Sequence, residues 1–183
     1  TGGSGDVDLS ATDLVIDVGL ISSTSVGDGD GGTIRLSGRN LELGGANVIT
    51  SSFGAGAAGN VIIDGDTIAI SGGSFGATPG TRQQSGELAI TASTSIEADG
   101  GFLSAISASP TSSGQITLRA PLIFLSQTNI NSAAIDGGLA GQITLEADQL
   151  LLDRVFLVSD SDDGSAATGF VRLKSTGDLI IFQ

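Results

Sequence analysis

The chain has 183 residues and a formal charge of −13 from 7 basic and 20 acidic side chains, with neither cysteine nor histidine. This composition excludes a disulfide framework and thiolate or imidazole metal ligands, and it makes nucleic acid and anionic lipid headgroups unfavourable partners. No apolar run approaches the ~20 residues of a membrane span, so we expect no membrane insertion.

Seven glycines recur at steps of 27 or 28 residues along the whole chain. They are Gly5, Gly32, Gly59, Gly86, Gly114, Gly141 and Gly169. A period of this size is typical of a solenoid, in which each repeat stacks on the next. We number the repeats, or coils, from these glycines, and we predict a single β-helical repeat domain over residues 1–183 that is a fragment of a longer array.

Each coil begins with two aliphatic residues, placed two and four positions after the glycine. The first column is Val7, Ile34, Val61, Leu88, Ile116, Ile143 and Val171, and the second is Leu9, Leu36, Ile63, Ile90, Leu118, Leu145 and Leu173. The residues between them are mixed, as in Asp8, Arg35 and Thr117. This alternation predicts a half-buried strand at the start of every coil.

Two further pairs of inward residues complete the coil. The second pair starts at Leu14, Leu41, Ile68, Ile96, Ile123, Leu150 and Leu179, and the third at Ile21, Val48, Phe75, Leu103, Ile130 and Leu157. The third pair always ends on a small residue, from Ser23 to Ser159, which predicts a tight corner. Extra residues are predicted in turns at 92–95, 160–168 and 175–178.

Three short strands per coil, without helical periodicity, predict an all-β fold. We expect a right-handed single-stranded parallel β-helix with six full coils and a partial seventh. Each strand would pair in register with its equivalents one coil away, so that like residues stack on like. Right-handed winding is expected because parallel crossover connections have this hand in ~98% of cases.

Two acidic loops are the candidate metal sites. Asp28 and Asp30 alternate with glycines in the first coil, and Asp160, Asp162 and Asp163 occupy the same turn of the sixth. Carboxylates in such loops are typical Ca²⁺ ligands, but a calcium-binding β-roll repeats its ligands roughly every nine residues. Neither cluster recurs in a neighbouring coil, so we expect solvated turns without a cofactor and keep the five aspartates as candidate calcium ligands.

No constellation of residues predicts catalysis. Outward acids are scattered over coils and faces, as in Asp8, Glu42, Asp64, Glu87 and Glu146. Carboxylates for glycoside cleavage need to lie ~5 to 9.5 Å apart, and the chain has neither Trp nor Tyr to stack on sugars. We expect no catalytic residue. A carbohydrate-binding or carbohydrate-active β-helix, similar to polysaccharide lyases and dependent on calcium at the aspartate loops, is the alternative.

Other outward positions carry aromatic or mixed residues. Phe53, Phe124, Phe156, Phe170 and Phe182 fall outside the inward columns, and we expect them to pack under loops or to mark a lateral contact. The outward position beside the small corner residue reads Ser22, Ile49, Gly76, Ser104, Asn131 and Val158. This column is not the threonine ladder of an ice-binding solenoid.

The junction between coils resembles a known repeat. Residues 21–36, ISSTSVGDGDGGTIRL, resemble the repeat I-S-A-S-T-x-G-x-G-x-A-G-x-I-x-I of cyanobacterial filamentous-haemagglutinin-like proteins. Residues 57–63, AAGNVII, and 139–145, LAGQITL, look like the same junction. The resemblance extends over essentially the whole chain, although the N-P-N-L motif of the family's secretion domain does not occur in it.

The resemblance implies a large exoprotein of two-partner secretion, exported through a dedicated outer-membrane β-barrel transporter. It also implies a right-handed β-helical stalk or adhesive fibre. We therefore expect a structural and adhesive segment of a secreted or cell-surface bacterial protein, without enzymatic activity. Its expected partners are glycans or proteins on the surface of a host or of neighbouring cells.

Overall fold

The chain folds into short parallel strands in a computed structural model that describes residues 2–78, 84–107, 113–135, 138–161 and 169–182. In chain order the strands are β1 (Val7–Asp17), β2 (Leu20–Ser25), β3 (Ile34–Gly44), β4 (Asn47–Ser52), β5 (Val61–Ser71), β6 (Ser74–Ala77), β7 (Leu88–Asp99), β8 (Phe102–Ala105), β9 (Gln115–Arg119), β10 (Leu122–Ser126), β11 (Asn129–Asn131), β12 (Gln142–Ala147), β13 (Gln149–Asp153), β14 (Phe156–Val158), β15 (Phe170–Ser175) and β16 (Leu179–Phe182). The described residues contain no helix.

The strands form two parallel sheets around one core. A ten-stranded sheet holds the first and second segments of every coil, and a six-stranded sheet holds the third in the order β14-β11-β8-β6-β4-β2. Paired residues lie 27 or 28 positions apart in most strand pairs, as in Val7 with Ile34 and Leu88 with Ile116, and 29 apart in β13 and β16, where Leu150 pairs with Leu179. The predicted parallel β-helix, its period and its inward columns are confirmed.

The number of strands per coil differs from the prediction of three. In coils one to four the first two segments are continuous, in β1, β3, β5 and β7 of 11 or 12 residues. In coils five and six they separate, because Pro121 lacks an N–H to extend the ladder. The Pro121 carbonyl instead accepts the N–H groups of both Asp148 and Gln149, each at 2.9 Å.

The extra residue of the fourth coil lies where it was predicted, but as a bulge inside β7 instead of a turn. Gly65 pairs with Ala92 and Thr67 with Ser95, so that two residues of β7 stand opposite one of β5. Coil seven has its extra residue between Ser175 and Leu179, where β15 ends and β16 begins. Most of the 160–168 loop lies outside the described residues.

Glycine is required at the start of each coil for a steric reason. A Cβ built on Gly141 would overlap the carbonyl oxygen of Gly114 in the coil before it and crowd the Ser132 hydroxyl. The same overlap recurs at every glycine of the column from Gly32 to Gly169. The Ser132 hydroxyl donates a hydrogen bond of 2.8 Å to the Gly114 carbonyl. The predicted tight corner is therefore the place where the third strand meets the opening glycine.

The core consists of the stacked inward columns. Ile34, Ile90, Ile116 and Leu145 are all fully buried, whereas inward residues of the end coils are partly open. Leu9 is 36% exposed and Ile181 is 60% exposed, because each has a neighbouring coil on one side only among the described residues. Burial therefore rises from the ends of the rod toward its middle.

We predict that Ile143→Asp lowers the free energy of unfolding by about 3 to 5 kcal/mol, because it places an unpaired charge inside the aliphatic stack. Ile143 is fully buried, while its neighbour Thr144 points outward between Thr117 and Arg172. Thr144→Asp is the matched control and should cost less than about 1 kcal/mol. Urea unfolding followed by circular dichroism measures both, and equal losses would contradict the inward and outward assignment.

Candidate functional site

The acidic loop of the first coil is a packing junction. A Cβ on Gly54 would overlap the Gly27 carbonyl, and one on Gly56 would overlap Gly29, so the alternating glycines allow two loops to stack closely. Asp30 accepts a hydrogen bond of 2.8 Å from the backbone N–H of Ala57 in the next coil. The Asp30 carboxylate thus caps the backbone of the neighbouring loop.

The acidic loop of the sixth coil is described only in part. The Asp160 carboxylate accepts the N–H of Ser161 at 2.8 Å, and its backbone carbonyl accepts the N–H of Ala134 at 2.9 Å. Asp162 and Asp163 lie outside the described residues. Within the described ranges, the structure brings no three acidic side chains together that could hold a metal ion.

A groove of about 470 Å³ crosses the outer side of the second segment in coils one to five. Asp17, Glu42, Glu97 and Asp99 line it with apolar residues that include Phe124. Of the outward acids considered in the sequence, Glu42 is the one that reaches this groove. Glu42 and Glu97 occupy one column two coils apart, about 9.5 Å by strand spacing, at the upper end of the range for an inverting carboxylate pair.

A second groove, of about 340 Å³, lies at the bend of coils four to seven beside a ladder of alternating charge. Glu146 contacts Arg119 at 2.7 Å in the coil before it and Lys174 at 3.4 Å in the coil after it. The hydrogen bond from Arg119 lowers the pKa of Glu146 below its usual value of 4.5, against a partial desolvation that raises it. These exposed pairs join neighbouring coils.

The six-stranded sheet presents an outer surface without charge, which we call the uncharged face. Its two outward columns are Leu20, Asn47, Ser74, Phe102, Asn129 and Phe156, and Ser22, Ile49, Gly76, Ser104, Asn131 and Val158. Phe102, in the first of these columns, is not among the aromatic residues singled out from the sequence. Reading the outward columns for charge would have found this face.

Aromatic side chains expected to pack under loops are largely open to solvent. Phe53 is 56% exposed and Phe156 is 66% exposed, and Phe102, two strands from Phe156 in the same column, is 58% exposed. Phe170 and Phe182 lie at the open final coil. Packing under loops is therefore wrong for Phe53 and Phe156, a lateral contact stays a prediction, and the place of these side chains outside the core is confirmed.

Comparison with protein-family models, with curated proteins and with solved structures finds no match to this chain. Across the described residues, none of the secondary structure is a helix with the length and apolar character needed to span a bilayer.

We predict that Asp30→Ala lowers the free energy of unfolding by about 1 kcal/mol, because the Ala57 N–H loses its acceptor. The loss should be the same in millimolar calcium and in EDTA. Asp28→Ala is the control, since Asp28 is exposed and has no side-chain partner in the described chain, and it should change stability by less than about 0.5 kcal/mol. Calcium stabilisation of the parent chain that either substitution removes would instead establish a calcium site.

Proposed function

We propose that this chain is a structural and adhesive segment of a secreted or cell-surface bacterial protein and that it has no catalytic role. The observation that supports this proposal most directly is that the inward residues repeat from coil to coil while the outward residues do not. Backbone pairing and inward columns repeat at each coil, while the outward side chains change from coil to coil. Such a rod holds varied surface groups at fixed spacings along one axis.

The location and the partners follow from the resemblance to filamentous-haemagglutinin-like repeats. In this proposal the parent protein leaves the cell through an outer-membrane transporter, and the segment contacts glycans or proteins on the surface of a host or a neighbouring cell. The formal charge of −13 is consistent with such partners, because it disfavours contact with nucleic acid and anionic lipid.

The test is display of the chain on a bacterium through an unrelated outer-membrane anchor, with an epitope tag to measure its amount. Adhesion is counted under flow on surfaces coated with neutral glycans, anionic glycans, proteins or bacterial cells. We expect displaying cells to adhere to at least one of these surfaces. Cells that display Ile143→Asp in equal amount are the control, and they should lose adhesion because their core is broken.

Adhesion no greater than that of cells with the empty anchor, on every surface, would contradict the adhesive role. The enzymatic alternative is tested in parallel by release of reducing ends from neutral and acidic polysaccharides, with and without calcium. Turnover that Glu97→Gln abolishes would replace the proposal with a carbohydrate-active enzyme.

A further inference from the structure

We propose that the uncharged face binds an uncharged, extended β-linked polysaccharide that lies along the axis of the rod. This inference rests on the adhesive role proposed above and adds to it the chemical class of the ligand and the surface that receives it. Three features of the face support it: the exclusion of charge, the polar groups without partners and the spacing of the exposed aromatic rings.

The two sheets of the solenoid differ in their charged residues. None of the 27 charged side chains, 20 acidic and 7 basic, falls in either outward column of the six-stranded sheet. The ten-stranded sheet carries the ion pairs, including Arg35 with Asp64 at 3.5 Å and Arg119 with Glu146 at 2.7 Å. A surface without charge on a chain of −13 favours a ligand that is itself uncharged, because an anionic chain would be repelled by the rest of the rod.

The polar side chains in the two outward columns of the uncharged face make no hydrogen bond to another described residue, whereas Thr24 and Ser51, farther along β2 and β4, pair with each other at 3.0 Å. Outward polar residues of the ten-stranded sheet pair along the axis, as Asp13, Asn40 and Thr67 do through hydrogen bonds of 2.6 and 2.9 Å. On the uncharged face, Asn47 and Asn129 make no side-chain hydrogen bond to another described residue. Side-chain amides and hydroxyls without a partner in the protein can form hydrogen bonds with the hydroxyl groups of a neutral sugar chain.

Two exposed aromatic rings of this face stand in the same outward column. Phe102, Asn129 and Phe156 stand in register in β8, β11 and β14, so the two rings lie two coils apart, about 9.5 Å. This interval is close to one disaccharide unit of an extended chain such as cellulose or chitin. Each ring would pack against the C–H face of every second sugar, and the Asn129 amide would meet the sugar between them.

A protein partner is the competing occupant, because exposed phenylalanines also occur in protein interfaces. A periodic ligand fits the face better than a protein does, since the outward positions repeat at every coil and the two rings stand at equivalent positions of the fourth and sixth coils. The polar residues between the rings are amides and hydroxyls, without the arginine that is typical of protein interface cores.

The experiment is a depletion isotherm of the purified chain on microcrystalline cellulose and on chitin. We expect retention on at least one of them, and we expect Phe102→Ala and Phe156→Ala each to weaken binding about fivefold to tenfold, because a buried aromatic contact is lost. Phe53→Ala is the matched control, since Phe53 is 56% exposed but lies in a loop off the face. Equal urea midpoints for all variants establish that each one is folded.

Several results would overturn this inference. Absence of retention on both neutral polysaccharides would do so, as would binding that Phe102→Ala and Phe156→Ala leave unchanged or that Phe53→Ala weakens equally. Retention confined to anionic polysaccharide beads would contradict the uncharged ligand, and retention confined to protein-coated beads would assign the face to a protein partner. In these last two cases the adhesive role stands, whereas loss of adhesion to every surface would remove both proposals.

Discussion

Backbone hydrogen bonds between coils are the interaction on which this structure depends. They run along the axis and join each residue to its equivalent in the next coil, 27 to 29 positions away. Where neighbouring coils approach each other most closely, there is no room for a side chain between them. Glycine is therefore required at this position, as where the Gly114 carbonyl lies against Gly141. The aliphatic columns then stack without gaps, and the Ser132 hydroxyl satisfies the carbonyl at the corner.

Because the fold is held by backbone groups and inward residues, the outward positions can carry different residue types in different coils. The ten-stranded sheet carries charged side chains, some of them in axial pairs, such as Glu146 between Arg119 and Lys174. The strands of the six-stranded sheet contain no charged residue and carry exposed phenylalanines. This division gives a narrow rod with two chemically distinct sides, and an adhesive segment needs one side that favours its target over water.

The period and the six inward columns were readable from the sequence, because each column is a chemical constraint repeated in every coil. What the pattern did not reveal depends on single residues. Pro121 separates two strands that are continuous in earlier coils, and the bulge opposite Asp66 replaces a predicted turn, since neither changes the hydrophobic period. The hydrogen bond from the Ala57 N–H to the Asp30 carboxylate could not be predicted from the repeat, because it joins residues of different types in neighbouring coils. Phe102 was overlooked because its outward column mixes aliphatic, polar and aromatic residues.

The most direct measurement is disulfide cross-linking of register pairs, for which the cysteine-free chain gives no background. Thr117 and Thr144 stand opposite each other in β9 and β12, at a strand spacing of about 4.8 Å that suits a disulfide. Thr117→Cys with Thr144→Cys should oxidise to an intramolecular disulfide. Thr117→Cys with Gln142→Cys, offset by two residues and about 8 Å apart, should remain reduced. Equal cross-linking of both pairs, or of neither, would contradict the axial register on which the fold and both proposals rest.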